Sequence, residues 1–396
     1  MRILIAHDSY YPNVDGGSYF THRLAYYLRR QNHEVLVIAP SHHSWHNHFS
    51  EENGIPSFRL FSLPILVVND FRFTPPFFIK RPIGKVMEEF KPDVVHVQSH
   101  FPVSKAVLDV AKKKGIPVVG TNHFNPGNIS HFAPVPRWVR KKIETLAWKH
   151  FAWIYKKVDI VTTPTQRAAD LLINIGFPKE VLPVSNGIDL KKFNSANRAV
   201  DVRGKYNLPN KPLLLSVSRL DKDKQIDVIL RSLPGVLKKC DIHFVMVGKG
   251  MERLGLEALA RKLKIDSAVT FTGFVPDEEL PSFYASSDCL VLACPVELQS
   301  LATMEAMATG LPAVVTNALA LPELVHQGEN GFLFEVGDSA GLAEGLIKIF
   351  SDDKLRKKMG RKSLEMIKKH DIENTVKNFL ALYEQAKKKY ERNDIL

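Results

Sequence analysis

Short runs of apolar and β-branched residues alternate along the chain with longer segments whose apolar positions repeat with helical period. In the first half, such runs occupy residues 2–6, 34–39, 92–97, 116–121, 158–163 and 181–185. Helical periodicity lies between them, at 19–30, 104–114 and 137–157. Buried strands that alternate with amphipathic helices predict an α/β fold with a parallel sheet covered on both faces.

A second alternating set begins after a polar stretch at 191–210. Its predicted strands are 212–218, 242–247, 268–272, 289–293 and 313–316. The chain has 396 residues, and one compact core rarely serves more than about 250–300 residues. We therefore predict two α/β domains, residues 1–195 and 205–371, and a final amphipathic helix at 372–390.

The overall composition is that of an ordinary globular protein, with 45% hydrophobic and 24% charged residues. No window approaches the ~20 apolar residues that span a bilayer, and the first apolar run is too short for a signal peptide. We expect a cytoplasmic protein. Its three cysteines, Cys240, Cys289 and Cys294, have no metal-ligand spacing and are expected to be reduced core residues.

A net charge of +12 is the unusual feature of the composition. Residues 1–190 contain 23 Lys and Arg against 15 Asp and Glu, so +8 of the excess lies in the first half. Such a charge favours nucleotides, anionic lipid or nucleic acid as partners. Nucleic acid would explain the charge but none of the polar residues at the strand ends, so we expect no nucleic-acid partner.

Ligands of open α/β sheets bind beyond the carboxyl ends of the strands. The first such loop, Tyr10–Ser18, contains Gly16 and Gly17, which would let the backbone approach a phosphate at the start of the next helix. An ordinary turn explains these glycines equally well. The loop lacks the G-x-G-x-x-G pattern, so it gives no support to a dehydrogenase.

Histidines follow two further strands. His100 and His123 each lie just past a predicted strand end, where a neutral imidazole could donate and accept hydrogen bonds. Four more histidines occur within residues 41–48. A metal site is one interpretation of that segment, but no carboxylate or cysteine lies among the histidines, and we expect a polar loop instead.

Residues Cys294–Pro312, which follow the apolar run Cys289–Ala293, contain the most informative motif of the chain. Its loop carries Glu297, and a helix is predicted from Ser300 to Thr309, ended by Gly310 and Pro312. Glu305 shares a helix face with Leu301, Met304 and Ala308, so its carboxylate needs a partner. The helix amides near Ser300 and Leu301 would attract an anion.

Glu297 and Glu305 resemble the E-x7-E signature of the retaining glycosyltransferases of family 4. In that family the first glutamate contacts the donor sugar and the second contacts the nucleotide ribose. Leu298-Gln299-Ser300 replaces the small and glycine-rich residues that often follow the first glutamate. This E-x-Q variant resembles that of glucosyl- and mannosyltransferases that act on lipids.

Other landmarks of the family appear in the expected order. Arg219 and Lys224 match the cations that clamp the donor diphosphate, Gly248 matches the glycine turn after the next strand, and His123 resembles the histidine near the sugar. Leu319 and Ala320 depart from the paired glycines of many relatives, which puts a close backbone approach by that loop in doubt. The resemblance implies the GT-B fold, in which two Rossmann-like domains face a cleft and the final helix crosses back to the first domain.

The resemblance also implies an enzyme that moves a hexose from a UDP- or GDP-sugar to a lipid or glycan hydroxyl with retention, without metal or other cofactor. His123 and Glu297 would be the catalytic residues. The expected donor-binding residues are Gly16, Gly17, Arg219, Lys224, Gly248, Ser300, Leu301 and Glu305. Two alternatives remain open, a nucleotide-sugar epimerase of similar fold and a non-catalytic regulator that binds sugar nucleotides.

The segment Arg137–Lys157 combines an apolar stripe with many cations and with Trp138, Trp148 and Trp153. An amphipathic helix packed on the sheet explains the stripe. The tryptophans and cations predict a peripheral contact with an anionic membrane surface. The competing interpretation is that the tryptophans are buried and the acceptor is soluble.

Overall fold

The computed structural model describes residues 1–12, 15–42, 44–65, 72–127 and 136–393. The chain divides into two compact units. Met1–Gly187 and the C-terminal segment from Ile372 form the first unit, and Ile188–Asp371 forms the second.

Parallel strands dominate the first unit. Its described residues form ten strands: β1 Arg2–Ala6, β2 Glu34–Pro40, β3 His48–Glu52, β4 Ile55–Leu60, β5 Leu63–Pro64, β6 Arg72–Phe73, β7 Val94–Val97, β8 Val118–Thr121, β9 Ile160–Thr163 and β10 Val181–Pro183. Eight of them form the main sheet in the order β10-β9-β8-β7-β1-β2-β4-β3, in which only β3 runs antiparallel to its neighbour. The other two, β5 and β6, pair antiparallel with each other.

Helices cover this sheet. Those that precede the second unit are α1 Gly16–Arg30, α2 Lys80–Phe90, α3 Pro102–Lys113, α4 Arg137–Tyr155 and α5 Gln166–Asn174. Side-chain caps define two of their starts, because Asp15 accepts a hydrogen bond from the Ser18 amide and Thr165 accepts one from Ala168.

The hairpin β3–β4 is absent from the strands predicted by hydrophobic pattern. Exposed and partly buried residues alternate along β3, so it has no apolar run, and β4 begins with the pair Ile55-Pro56. Asn53 and Gly54 connect them with φ of 51° and 79°, the left-handed conformations that an Asn-Gly hairpin turn requires. The end of the histidine-rich segment, His48, is the first residue of β3, and His43 lies outside the described residues.

The second unit contains a wholly parallel sheet. Among its described residues the strands are β11 Leu213–Val217, β12 His243–Val247, β13 Val269–Gly273, β14 Cys289–Leu292, β15 Ala313–Thr316 and β16 Gly331–Phe334. Their order in the sheet is β13-β12-β11-β14-β15-β16. The last of these, an edge strand, is absent from the predicted strands.

The helices of the second unit lie on both faces of its sheet, above two separate hydrophobic clusters. They are α6 Val202–Lys205, α7 Ile226–Leu237, α8 Arg253–Lys262, α9 Leu280–Ala285, α10 Leu301–Ala308, α11 Leu321–Leu324, α12 Ser339–Ser351 and α13 Asp353–Ile367. Cys240, Cys289 and Cys294 are buried free thiols, which confirms their prediction as reduced core residues.

The C-terminal helix, α14 Ile372–Asn393, belongs to the first unit. Its buried side chains recur every three to four residues and join the cluster formed by β1, β2 and α1; they are Ile372, Val376, Phe379, Tyr383 and Ala386. Along the described ranges, no helix combines the length and apolar character needed to cross a bilayer.

Candidate active site

Two loops of the second unit meet because their strands are neighbours. β11 and β14 pair in parallel, so the loops that follow them leave the same edge of the sheet. The first loop carries Arg219 and Lys224, and the second carries Glu297. Nζ of Lys224 lies 2.7 Å from Oε1 of Glu297 and 3.5 Å from Sγ of Cys294. Two of the residues that the sequence indicated, Lys224 and Glu297, are therefore in direct contact.

Lys224 and Glu297 form an ion pair at neutral pH. Burial opposes the charge of Lys224, but Glu297, with Cys294 and Asp223, raises the pKa of the ammonium above its ordinary value. Burial likewise opposes the charge of Glu297, and Lys224 more than offsets it, so the pKa of this carboxyl is lowered. The pair is partly accessible, with 13% of the lysine and 20% of the glutamate side chain exposed.

Arg219 is engaged by acidic residues of its own loop. Its guanidinium donates to the Asp221 carboxylate, and Asp223 Oδ2 lies 4.0 Å from Nη2. Asp223 is buried, and its Oδ2 has no hydrogen-bond partner among the described residues, although Nζ of Lys224 is 3.5 Å away. The guanidinium has five N–H donors, and 37% of the side chain is exposed, so Asp221 competes with an anionic ligand for Arg219 without blocking it.

Asp221 and Asp223 also have the Asp-x-Asp spacing, a pattern that can hold a divalent cation. Here their carboxylates face Arg219 and Lys224. In the described part of the chain, no group of three or more His, Cys, Asp or Glu side chains could hold a metal ion. The expected independence of metal stays a prediction.

Glu305 has the partner that its position on a packing face requires. Tyr284, from the preceding helix α9, donates its hydroxyl to Oε2 of Glu305 at 2.7 Å. Tyr284 is fully buried, and burial followed by the nearby Glu305 raises the pKa of its phenol well above 10. Nothing in the sequence pattern distinguishes Tyr284 from a core aromatic residue, so its role could not be found without the structure.

Ser300 is the N-cap of α10. Its Oγ accepts hydrogen bonds from the Thr303 amide at 3.2 Å and from the Thr303 hydroxyl at 3.0 Å. Leu301 is the first helical residue, so its amide has no acceptor within the helix. The helix therefore starts where the sequence predicted, immediately beyond the loop that carries Glu297, and the binding of an anion there stays a prediction.

A third loop, after β15, borders the same region. The Ala320 amide donates to the Glu297 carbonyl at 3.2 Å. Leu319 has a φ of 42°, a left-handed conformation that glycine adopts more easily. Many relatives of the family have glycine at this position. The present chain has leucine there, but its backbone keeps the conformation that glycine favours.

Gly248 is required by the contact between two loops. A Cβ at this position would lie 1.9 Å from the Ser218 carbonyl oxygen, and φ is 141°. Its amide donates to the Gly273 carbonyl at 2.9 Å. Any side chain at 248 would displace the backbone next to Arg219.

Gly16 and Gly17 form the first turn of α1, whereas we predicted them in the loop before it. A Cβ on Gly16 would meet nothing within 4 Å, but one on Gly17 would lie 2.9 Å from Cε1 of His7. Gly17 is therefore needed for the approach of His7 to the helix. Asn13 and Val14, in the preceding loop, lie outside the described residues.

The two strand-end histidines have different environments. Nε2 of His123 lies 2.9 Å from Oε1 of Gln98, and its ring contacts Phe20. His100 is packed among the rings of Phe101, Phe124 and Phe151. Burial lowers the pKa of each imidazole to about 3, so both are neutral at physiological pH. His100 is part of an aromatic core, and His123 is part of a polar network.

The tryptophans of α4 differ in exposure. Trp148 is partly buried against Phe124 and Phe151, while Trp138 is 65% and Trp153 is 47% exposed. Lys142 lies over Trp138, and Lys105 and Lys157 lie over Trp153, at 5.1–5.3 Å from the ring centroids. The competing interpretation expected all three tryptophans to be buried. Only Trp148 is partly buried, and the other two are exposed.

Each half of the chain matches a known protein family. Residues 14–192 match the family described as "Glycosyltransferase Family 4", and residues 201–366 match the one described as "Glycosyl transferases group 1". Together the two matches cover nearly all of both units.

Relatives and solved structures agree with these matches. A GDP-mannose-dependent alpha-mannosyltransferase of Corynebacterium glutamicum is 25% identical over 93% of this chain and 85% of its own. An alpha-monoglucosyldiacylglycerol synthase of Acholeplasma laidlawii is 27% identical over 88% of each chain. The structure of sucrose-phosphate synthase from Thermosynechococcus elongatus superimposes with a TM-score of 0.79 at 17% identity, over 97% of this chain and 98% of that one. Anabaena HepE, solved in complex with UDP-glucose, gives a TM-score of 0.77 at 17% identity, over 97% and 100%.

The fold and the two profile matches define a glycosyltransferase with the GT-B fold. The chain belongs to the family-4 type of these enzymes, which confirms the resemblance that its motifs carry. It is accordingly an enzyme of the hexosyltransferase kind.

Proposed function

We propose that the protein transfers a hexose from a UDP- or GDP-sugar to a hydroxyl of a lipid or glycan, with retention at the anomeric carbon. The observation that carries this proposal is the contact between Lys224 and Glu297, beside Arg219 and the start of α10. The relatives' names support the substrates, since they include a GDP-mannose-dependent mannosyltransferase and a glucosyldiacylglycerol synthase.

Within this proposal, cations and amides of the second unit hold the donor diphosphate. Arg219, Lys224 and the amides near Gly248, Ser300 and Leu301 stabilise the charge that the nucleoside diphosphate gains as it leaves. Glu305 binds the nucleotide ribose, and Glu297 accepts hydrogen bonds from hydroxyls of the sugar. Each carboxylate is already held in position, Glu297 by Lys224 and Glu305 by Tyr284.

In the first unit, we assign Gly16 and Gly17 to the approach of the donor phosphate and His123 to the sugar and its leaving phosphate. Retention follows if the acceptor hydroxyl attacks from the face that the diphosphate leaves. The acceptor oxygen then bonds to the anomeric carbon as the bond from that carbon to the phosphate oxygen breaks. The leaving phosphate takes the acceptor proton, so no protein nucleophile is needed.

Acceptor-dependent nucleotide release tests the proposal. The purified protein is incubated with UDP-glucose or GDP-mannose, with and without diacylglycerol vesicles or a soluble glycan, and the freed nucleoside diphosphate is measured. A transferase releases nucleotide only with its acceptor, an epimerase changes the sugar without release, and a regulator does neither. NMR of the product's anomeric proton checks retention, and a product of inverted configuration would overturn that part.

One variant and one addition sharpen this assay. Glu297→Ala should reduce turnover more than donor affinity, because positioning of the sugar matters most in the transition state. Addition of EDTA should leave the rate unchanged, as no metal is proposed. A rate that EDTA abolishes and Mg²⁺ restores would instead assign a metal to the reaction.

We also propose that α4 makes a peripheral contact with an anionic membrane. Exposed Trp138 and Trp153 lie on this helix with the exposed cations Lys141, Lys142 and Lys149. Indole rings favour the membrane interface, and each nearby cation adds about 1 kcal/mol of attraction to anionic lipid. Such a contact would bring the enzyme to a lipid acceptor.

A further inference from the structure

A chain of buried hydrogen bonds leads from the C-terminal helix to His123. His96, at 0% exposure in β7, contacts the Tyr383 hydroxyl through Nδ1 at 2.8 Å and the Thr121 hydroxyl through Nε2 at 2.7 Å. The Gln98 side-chain amide nitrogen lies 3.2 Å from the His96 ring nitrogens. The other end of that amide, Oε1, lies 2.9 Å from Nε2 of His123.

The orientation of Gln98 can be assigned from its place over the His96 ring. Its amide nitrogen lies 3.2 Å from Nδ1 and 3.2 Å from Nε2, so it lies over the face of the ring and not in the ring plane. The face of an aromatic ring carries the negative side of its quadrupole. It therefore attracts an N–H group and repels a carbonyl oxygen.

His96 is neutral, because burial lowers its pKa to about 3. Its two ring nitrogens are engaged by the hydroxyls of Tyr383 and Thr121, which fix the position of the ring. The face of this uncharged ring orients Gln98 with its nitrogen towards His96 and its carbonyl away from it. Its carbonyl then accepts from His123, which must carry its hydrogen on Nε2.

We infer that Gln98 is a positioning residue which, together with His96 and Tyr383, holds His123 in the Nε2–H tautomer. His123 then presents Nδ1 as a hydrogen-bond acceptor. The ligand group that fits an acceptor is a sugar hydroxyl and not an ionised phosphate oxygen. The inference therefore narrows the proposed role of His123 from the sugar and its phosphate to the sugar alone, whose hydroxyl pattern the ring selects. This inference deepens the proposed function and rests on it for the role of His123.

The tautomer is measured directly in the resting protein. Long-range proton–nitrogen correlation spectra of protein labelled with ¹⁵N-histidine distinguish bare from protonated ring nitrogens, and the His123→Gln variant assigns the signals. We expect Nε2 of His123 to be protonated and Nδ1 to be bare. The reverse pattern would overturn the inference, and it would do so without any substrate.

Variants test the consequence for the reaction. Gln98→Met retains the side-chain length without hydrogen bonding, so His123 should populate both tautomers and kcat should fall about tenfold, the effect of one hydrogen bond, with a smaller change in the donor KM. Tyr383→Phe should act in the same direction. Tyr390→Phe is the matched control, because Tyr390 lies on the same helix but its hydroxyl contacts Lys112.

The outcomes separate this inference from the proposed function. A Gln98→Met protein with the wild-type His123 spectrum and unchanged kcat contradicts the positioning role. Full transfer activity in His123→Gln contradicts the proposed role of His123 instead, whatever the tautomer. If Gln98→Met fails to fold, the spectrum of the parent protein still decides the tautomer.

Discussion

At the scale of single residues, the two glutamates of the candidate site differ in the kind of partner they have. Glu297 is paired with a cation, and Glu305 accepts from a neutral hydroxyl. A carboxylate has about four acceptor positions, so the bond from Tyr284 does not by itself prevent Glu305 from accepting from ribose hydroxyls. The carboxylate of Glu297, whose charge is balanced by Lys224, can lie close to a diphosphate with less repulsion.

The first prediction concerns donor affinity. Arg219→Ala and Glu305→Ala should each weaken binding of the nucleotide sugar by roughly 10- to 100-fold, because each removes a charge-assisted hydrogen bond of about 1.5–3 kcal/mol. Calorimetric titration measures the effect. Arg231→Ala is the matched control and should leave the affinity unchanged. Arg231 is an exposed arginine that pairs with Asp227 on α7, the helix that follows this loop. Affinities of Arg219→Ala and Glu305→Ala equal to the parent would remove these residues from the site.

A second prediction follows from the contact between Arg219 and Asp221. Asp221→Asn removes the charge that competes with the donor phosphate for the guanidinium, so affinity for UDP or GDP should rise by a few fold, or roughly 1 kcal/mol. Asp227→Asn, which affects the exposed Arg231 pair, should leave it unchanged. A loss of affinity in Asp221→Asn would show that this aspartate orients Arg219 instead of restraining it.

At the scale of elements, helix α10 depends on its N-cap. Ser300→Ala should lower the free energy of unfolding by about 1 kcal/mol through loss of the cap. It should also weaken donor binding, because the amides of the first turn lose their fixed direction. Urea unfolding and calorimetry measure the two effects.

Asp352→Ala provides the comparison for this third prediction. Asp352 caps α13 in the same unit by accepting from the Leu355 amide at 2.9 Å. A similar loss of stability with unchanged donor binding is expected. Equal effects of both variants on donor binding would show that stability alone, and not the start of α10, governs affinity.

At the scale of the whole molecule, buried histidines couple stability to pH. The pKa values of His7, His96, His100 and His123 are lowered to about 3, in each case chiefly by burial. Their ordinary value is about 6.5. Between these two values the unfolded chain binds protons that the folded chain does not, so acid favours unfolding.

The fourth prediction is that stability falls as the pH drops from 6.5 towards 3, by up to about 1.4 kcal/mol per pH unit for each histidine. Urea unfolding at several pH values measures this slope. His100→Phe should reduce the slope of stability against pH by the contribution of one proton. A phenyl ring suits this position, because His100 lies among aromatic rings and its Nδ1 has no hydrogen-bond partner among the described residues. His46→Phe, at an exposed position, should not change the slope, and a slope that is the same in both variants would contradict this account.

The fifth prediction concerns the membrane. The protein should sediment with anionic vesicles at low salt and be released at high salt, since screening shortens to about 3 Å at 1 M. Trp138→Ser with Trp153→Ser should weaken the binding, and Trp45→Ser, an exposed tryptophan outside α4, should not. Equal and weak binding to anionic and neutral vesicles would leave the soluble-acceptor interpretation.

The sequence by itself determined the alternation of strands and helices, and with it the α/β class. It also indicated Glu297 and Glu305, in the loop and helix that follow a strand, and its resemblance to family 4 indicated Arg219 and Lys224. It did not indicate the hairpin β3–β4 or the edge strand β16, which lack long apolar runs because one or both of their faces are partly exposed.

Only the tertiary structure decided which partner each of these residues has. Tyr284 meets Glu305 from a different helix, Lys224 pairs with Glu297 across 73 positions, and Tyr383 reaches His96 from 287 positions along the chain. A hydrogen bond is fixed by a distance of about 3 Å and by direction, and no local pattern of polarity encodes either for residues far apart in sequence. The protonation of His123 depends on such bonds, so it follows from the fold and not from the motif.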